Sequence, residues 1–417
     1  MRNLDFDVLV LGTDINAYYM ARNFHEAYGI KVNLLGKVPM KFTSYSTICN
    51  VVIEPDLWQP EIFKSQLAKY PFQNAANQGK KIILVATNET YVRLVVENAQ
   101  FLSEWYVFNY VDEELLNNLI LKNNFYKLYE NSAIINIPKT YAYQCNCDEL
   151  DVERVHELEF PLVVKPADTV KWYEYDFSNQ AKVYKVKNLE ALKKIIADAE
   201  ASGYSEALII QQFIAGDDTH LFDSMFYVDS TGEPVLQTFA QIGLQEPTPI
   251  EVGSCTVLVN GYNQFENTDE VKDSLAQFLK SINYRGICEF DLKYDPNRKK
   301  FYVFEINPRQ ARCGYYLTTC GHNLATCLVD DLIYHKKPEF TFITSEQALS
   351  FVPLYIVQKY VRNQAYIEKV LALKKAGRLT RVLNYKGDLS LKRKLWLFVR
   401  DFKYARKYKE NNWQETS

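Results

Sequence analysis

Along the first 120 residues, short apolar runs that stop at glycine or asparagine alternate with segments of helical period. "FDVLVLG" has the pattern of a buried strand ending at Gly12, and "DINAYYMARNFHEAYG" that of a helix with Asp14 as its cap. "IKVNLLG" and "KKIILVATN" read as further strands, and "ETYVRLVVENAQFLSEW" as a helix. A strand-helix-strand rhythm of this kind predicts a parallel sheet with helices on both faces, a doubly wound α/β domain over residues 1–120. "GTDINA" lacks the second and third glycines of a dinucleotide-binding turn, so Gly12 is read as a tight strand-to-helix turn.

From about residue 121 the rhythm changes. "NNFYKLYENSAIINIPKTY" predicts a helix, a turn and an edge strand. "FPLVVKPAD" and "SEALIIQQFIAGDD" are strands stopped by Pro166 and Gly216, and "LFDSMFYVDSTGEPVLQTFAQIG" is a hairpin. An amphipathic helix, "DEVKDSLAQFLKSINYRG", leads into a second hairpin, "ICEFDLKYDPNRKKFYVFEINPR", and "GHNLATCLVDDLIYH" is again helical. Helices mixed with antiparallel hairpins predict an α+β unit over 121–345, and residues 346–417 read as mainly helical and basic.

At 417 residues the chain is long enough for two or three domains, and its 47% hydrophobic and 24% charged residues are globular values. The net charge of −3 conceals a division. From Lys359 onward 16 Lys/Arg face 5 Asp/Glu, leaving 32 basic against 46 acidic residues before it. An acidic body argues against nucleic-acid binding, which needs basic surface. The start, "MRNLDFDVLVLG", lacks the pattern of a secretory signal, and no apolar run approaches the roughly 20 residues that span a bilayer. The eight scattered cysteines are expected to be reduced, which fits a cytoplasmic protein. Cys313, Cys320 and Cys327 recur every seven residues near His322, but this spacing matches no common zinc motif and no zinc is expected.

Candidate chemistry collects on the second hairpin. Alternation places Glu289, Asp291 and Lys293 on one face of its first strand, and Phe301, Val303, Glu305 and Asn307 on one face of its second. Asp291, Glu305 and Asn307 then present hard oxygen atoms side by side, the ligand type that Mg²⁺ takes together with water and phosphate. Glu289 competes with Asp291 as the first ligand. Lys165 ends the apolar strand "PLVVK", and Lys127 follows an Asn-Phe-Tyr run; each is placed to aim a charge at phosphate.

The ordered series Lys127, "VVKPAD", "IIQQFIAGDD", "YRGICEFDLKYD" and "FEINPR" resembles the ATP-grasp carboxylate-amine ligases over roughly residues 121–335. "VVKPADTVKWYEYDF", "GYSEALIIQQFIAGDDTH" and "FEINPRQARCGYYLTTCGHNLATCLVDDLI" are most similar to the bacterial D-aspartate ligases of peptidoglycan bridge synthesis. The resemblance implies a two-lobed ATP-grasp domain, with a small lobe at about 125–215 and a large lobe at about 216–345. It implies that Lys127 and Lys165 hold ATP phosphates, that Gln211, Gln212, Phe213 and Ile214 contact adenine, and that Asp218 binds ribose. It further implies Mg²⁺ on Asp291, Glu305 and Asn307, with Arg309 neutralising the transferred phosphoryl group beside Lys165. The reaction implied turns a carboxylate into an acyl phosphate, which an amine then attacks. D-aspartate, through its β-carboxylate, and the lysine side chain of a peptidoglycan precursor are the expected substrates.

Two departures stand out. Many family members carry an acidic residue where this chain has Gln212. The segment "ADTVKWYEYDFSNQ", at the place of the phosphate-covering lid, contains no glycine and leaves Thr169, Ser178 or less flexible backbone to make the cover. Arg312 and His220 are candidates for the amino acid's second carboxylate, against a surface arginine and a packed histidine. A ligase for another amino acid or peptide, or a non-catalytic nucleotide-binding regulator, are the alternatives. The basic tail, "LSLKRKLWLFVRDFKYARKYKE", is expected either to pack its aromatics on the body or to make a peripheral contact with an anionic precursor or the inner membrane face.

Overall fold

The computed structural model describes residues 4–73, 79–178 and 180–411. Its N-terminal part is a five-stranded parallel sheet in the order Cys49–Ile53, Val32–Gly36, Phe6–Leu11, Lys81–Ala86 and Tyr106–Val107. The three central strands are the apolar runs read from the sequence. Of the two outer ones, Cys49–Ile53 is only partly buried and Tyr106–Val107 is two residues long, and neither carried a strong pattern. Asp14 caps the helix Ile15–Tyr28, its carboxylate accepting from the backbone N–H groups of Asn16 and Ala17 at 3.1 and 3.0 Å. Gly12 sits at φ +129°, and a Cβ there would lie 2.1 Å from Thr87 Oγ1. Close approach of two strand ends therefore demands the glycine. Strand order reverses between Phe6–Leu11 and Lys81–Ala86, and Asp14, which caps one helix, and Glu89, which opens another, stand just beyond the carboxyl ends of these strands.

Two further sheets follow. Thr140–Gln144, Ala207–Gln212, Leu162–Pro166 and Tyr184–Val186 form a four-stranded antiparallel sheet in that order. A larger sheet runs Lys300–Asn307, Gly286–Asp295, Leu221–Val228, Ala240–Gln245, Cys255–Asn260, Gln347–Ser350 and Leu379–Thr380, with Pro234–Gln237 and Thr341–Phe342 to one side. The fold is thus a doubly wound α/β domain followed by a two-lobed α+β unit and a helical, basic C-terminal extension, the arrangement that the resemblance implied. The parts share a core: Val8, Val10 and Tyr18 of the first sheet and its helix cluster with Met225, Leu328 and Leu397.

That extension is more firmly built in than its composition suggested. It opens with a strand of the large sheet, Gln347–Ser350, paired with Cys255–Asn260. Its last helix, Leu391–Glu410, lies against both the first domain and the large sheet. Buried Asp388 accepts from Ser46 Oγ and from the N–H and hydroxyl of Thr47, and pairs with buried Arg393 at 3.4 Å. At the other end Tyr408 shares a hydrogen bond with Thr256.

Candidate active site

The hairpin of Gly286–Asp295 and Lys300–Asn307 carries its carboxylates as expected, but by a different route. Register runs Glu289 to Asn307 and Asp291 to Glu305, then shifts, with Leu292 opposite Val303 and Lys293 opposite Tyr302. Phe304 is the extra residue of a β-bulge. Simple alternation would have put Phe301 and Val303 on the face of Glu305. The bulge instead sends both into the core, where they are 3% and 1% exposed, while Glu305 and Asn307 face the site.

Charge at this end is segregated. Glu305 pairs with Lys122 Nζ at 3.2 Å, and this ammonium, aided by Lys165 and Lys182 against the effect of burial, holds its carboxyl far below the usual range. Asp291, directly opposite, is pushed well up by burial and then by the charges of Glu305 and Asp223. Glu289 is raised by burial, then by Asp291 and Asp223. Behind it Asp223 accepts from Tyr316 at 2.6 Å and from Cys313 Sγ at 3.1 Å. Adjacent carboxylates that must share protons fit a divalent cation, which would relieve the same repulsion. Asp291 and Glu305 offer oxygens for it. Asn307 turns its amide nitrogen to Asp291 Oδ2 (3.2 Å) and its oxygen to Arg309 (3.1 Å), so it fits as a ligand only after a half-turn of the amide. Arg309 also reaches Glu289 at 3.3 Å and Glu89 of the first domain at 3.5 Å. Asp14 stands in the field of the same guanidinium, with its carboxyl raised chiefly by burial.

Lys165 is where the strand reading put it. Its Nζ donates to Tyr126 Oη at 2.7 Å and to Gln211 Oε1 at 3.2 Å. Lys127 is not brought to the site. The helix Lys122–Tyr129 buries Phe125 and Tyr126, and Lys122 lies one turn before Tyr126 on the same side. Lys127 is exposed, rotated by about 140° from Lys122 at 3.6 residues per turn. Lys122 is the lysine of this helix that pairs with Glu305. Lys182 follows the lid segment, donates to Val252 O at 3.1 Å and is lowered by burial. The lid itself is packed rather than glycine-rich. Trp172 is fully buried against Phe177, Tyr184 and Tyr204, Ser178 is exposed, and the Thr169 side chain lies outside the described residues.

Gln211, Gln212 and Ile214 are buried where the small sheet gives way to the large one. Phe213 lies below Lys185 and Lys293, whose Nζ atoms are 4.3 and 5.5 Å from its ring centroid. Burial lowers Lys293 to about 8. Asp218 accepts from the backbone and side-chain nitrogens of Gln245 at 3.1 and 2.7 Å, and burial raises it. His220 is a packed histidine: its ring lies on Phe265 and beside Gly216, and Nδ1 pairs with Asp217 at 3.0 Å. Arg312 is not a surface residue. It donates to Glu246 at 2.5 Å and to Tyr404 at 3.2 Å, and Lys407 closes on the other oxygen of Glu246 at 2.8 Å. Both substrate candidates are thus engaged inside the protein.

No family model matches the chain. A D-aspartate ligase of Enterococcus faecium is 30% identical over 409 residues, covering 96% of this chain and 94% of that one. The chain belongs to the ATP-grasp carboxylate-amine ligases. Solved structures agree on the fold of this ligase. An L-amino acid ligase from Bacillus licheniformis superposes with a TM-score of 0.54 at 15% identity, covering 78% and 74% of the two chains. An N5-carboxyaminoimidazole synthetase from Staphylococcus aureus complexed with ADP gives 0.60 at 12% identity over 85% of each. Sequence reasoning did not single out Lys122, Lys182, Asp14 or Glu89 as charged neighbours of Glu305 and Arg309. Lys122 was findable from helical phase, since Phe125 and Tyr126 mark the inward face. Asp14 and Glu89 follow the two strands that flank the point of reversed order. Lys182 had no signal beyond its place after the lid.

Proposed function

We propose that this ligase phosphorylates the β-carboxylate of D-aspartate with ATP and transfers the acyl group to the lysine side chain of a peptidoglycan precursor. Alignment with the D-aspartate ligase over nearly the whole of both chains supports the amino acid. The observation that carries the chemistry is the segregated cluster, with Lys122, Lys165 and Lys182 around Glu305 and raised carboxyls on Asp291 and Glu289. Phosphoryl transfer needs charge neutralisation and alignment more than covalent help, and this cluster offers both. Lys165 and Lys182 would hold phosphate oxygens, while the bond of Lys122 keeps Glu305 ionised. Mg²⁺ would be held by Asp291 and Glu305, with Asn307 joining after its amide turns, and would supply charge neutralisation at the phosphates. Arg309, anchored by Glu289 and Asn307, would meet the transferred phosphoryl group. Gln211 to Ile214 would line adenine and Asp218 the ribose. A non-catalytic regulator would have no use for so complete a set of unbalanced charges.

Incubation with ATP, Mg²⁺, hydroxylamine and one amino acid at a time tests the reading. Hydroxamate and phosphate are expected with D-aspartate. Formation only with another amino acid would move the substrate assignment, and none with any acid, with or without an amine acceptor, would overturn the activity.

A further inference from the structure

The helix Leu391–Glu410 has two faces of different character. One holds the protein together: Arg393, Leu397, Arg400 and Tyr408 are buried, and Trp396 packs edge-on against Phe42 and Tyr45. The other bears Leu391, Leu395, Phe398, Val399 and Phe402, which are 86%, 66%, 62%, 43% and 62% exposed. At 100° per residue these five side chains fall within an arc of about 100°, forming one stripe over the first three turns. Phe398 and Phe402 touch along it, with ring centroids 4.8 Å apart. Isolated exposed hydrophobics need no explanation, but a continuous stripe of five marks a contact surface.

Charge decides what the stripe fits. Lys392 and Lys403 flank it on one side and Lys394 on the other, with Arg406 and Lys409 near its end, and all five are exposed. Lys394, Lys403 and Lys409 have no carboxylate within ion-pair distance among the described residues. The acidic residues of the helix are committed elsewhere, Asp401 to Arg381 and Glu410 to Arg406. Lys392 and Lys41 of the first domain both lie within 6 Å of the Tyr45 ring centroid, so the basic rim continues off the helix. Because the opposite face is fixed by the pair of Arg393 with Asp388 and by the core position of Leu397, the stripe cannot turn inward. We propose that this face docks on an anionic lipid bilayer, with the five apolar side chains at the level of the acyl chains and the lysines reaching to headgroup phosphates. An exposed apolar line with ammonium groups on both sides matches a negatively charged membrane surface. The protein has no helix long and apolar enough to cross a membrane among its described residues, so this is a contact lying in the surface.

Cutting the chain after Asp388 would strip Asp388 of Arg393 and the core of Leu397, so surface substitutions make the better test. The full chain is mixed with vesicles of phosphatidylcholine alone or of phosphatidylcholine with phosphatidylglycerol, and sedimented at low and high salt. Sedimentation is expected with the anionic vesicles only, and salt should weaken it. Lys392→Gln, Lys394→Gln and Lys403→Gln together should weaken it by roughly 100-fold, at about fivefold per surface lysine. Leu395→Ser, Phe398→Ser and Phe402→Ser together should abolish it while leaving the melting temperature and ligase turnover unchanged. Lack of sedimentation with anionic vesicles, or sedimentation that survives the serine changes, would overturn the proposal. So would light scattering that shows a dimer dissociated by them, which would make a second copy the occupant.

Discussion

Arg309 and Arg312 stand three residues apart on one segment and enter two charged clusters of opposite character. Around Arg312 the charges are matched. Burial would raise the Glu246 carboxyl, but Arg312, Lys407 and Tyr404 outweigh it and hold it below the ordinary range. Around Arg309 they are mismatched: one carboxyl, Glu305, is held down by lysines while Asp291 and Glu289 are driven up. A buried cluster built for the fold satisfies its own charges. On the proposed function, the second cluster keeps a charge imbalance for a polyphosphate and a cation to relieve, and this difference would separate scaffold from site.

The contrast can be broken in order of expected effect. Glu305→Gln should lower turnover by about 10³-fold, as loss of a group acting on developing charge does, with the melting temperature little changed. Full activity would remove Glu305 from the site. Glu246→Ala should do the reverse, costing about 3–5 kcal/mol of stability in a denaturant titration by leaving Arg312 without its carboxylate, while Lys407 keeps only Glu251. The pH dependence of this cluster has a definite sign. Because the folded carboxyl of Glu246 lies below its unfolded value, the network's contribution is present above the unfolded carboxylate range and is lost as pH falls through the folded pKa. Glu246→Gln should flatten that part of the stability curve, and an unaltered curve would show that the pair does not hold the fold. Lys122→Met should reduce turnover by about 10–100-fold and Lys127→Met by less than about twofold, within the range of a single electrostatic contact. Equal effects would undo the helical phase argued for the site. His220→Gln should leave the amino-acid KM within about twofold, because its ring is taken up by Phe265 and Asp217.

How far the site could be read from sequence depended on distance along the chain. The parallel sheet, Asp14 as a cap, the glycine turn and the hairpin carboxylates are local patterns, and all were legible. Choosing between Lys122 and Lys127 required knowing which helix face packs, and the inward Phe125 and Tyr126 held that information without making it obvious. The partners of Arg312 lie 66 and 92 residues away, beyond any local pattern. His220 was decided by Phe265, a contact made only when the large lobe forms. Period-two reasoning placed Glu305 correctly and Phe301 wrongly, because alternation cannot show where a strand takes an extra residue.

That extra residue matters for comparing this ligase with its relatives. Phe304 divides one strand into two reading frames, a core frame through Phe301 and Val303 and a site frame through Glu305 and Asn307. An alignment that deletes one position there would preserve every apolar match up to Val303 and yet assign Glu305 and Asn307 to the wrong face. Conversely, the turn at Asp295–Arg298 can lengthen or shorten in pairs while the site frame keeps its phase. The facing of Glu305 and Asn307 therefore depends on the extra position at Phe304.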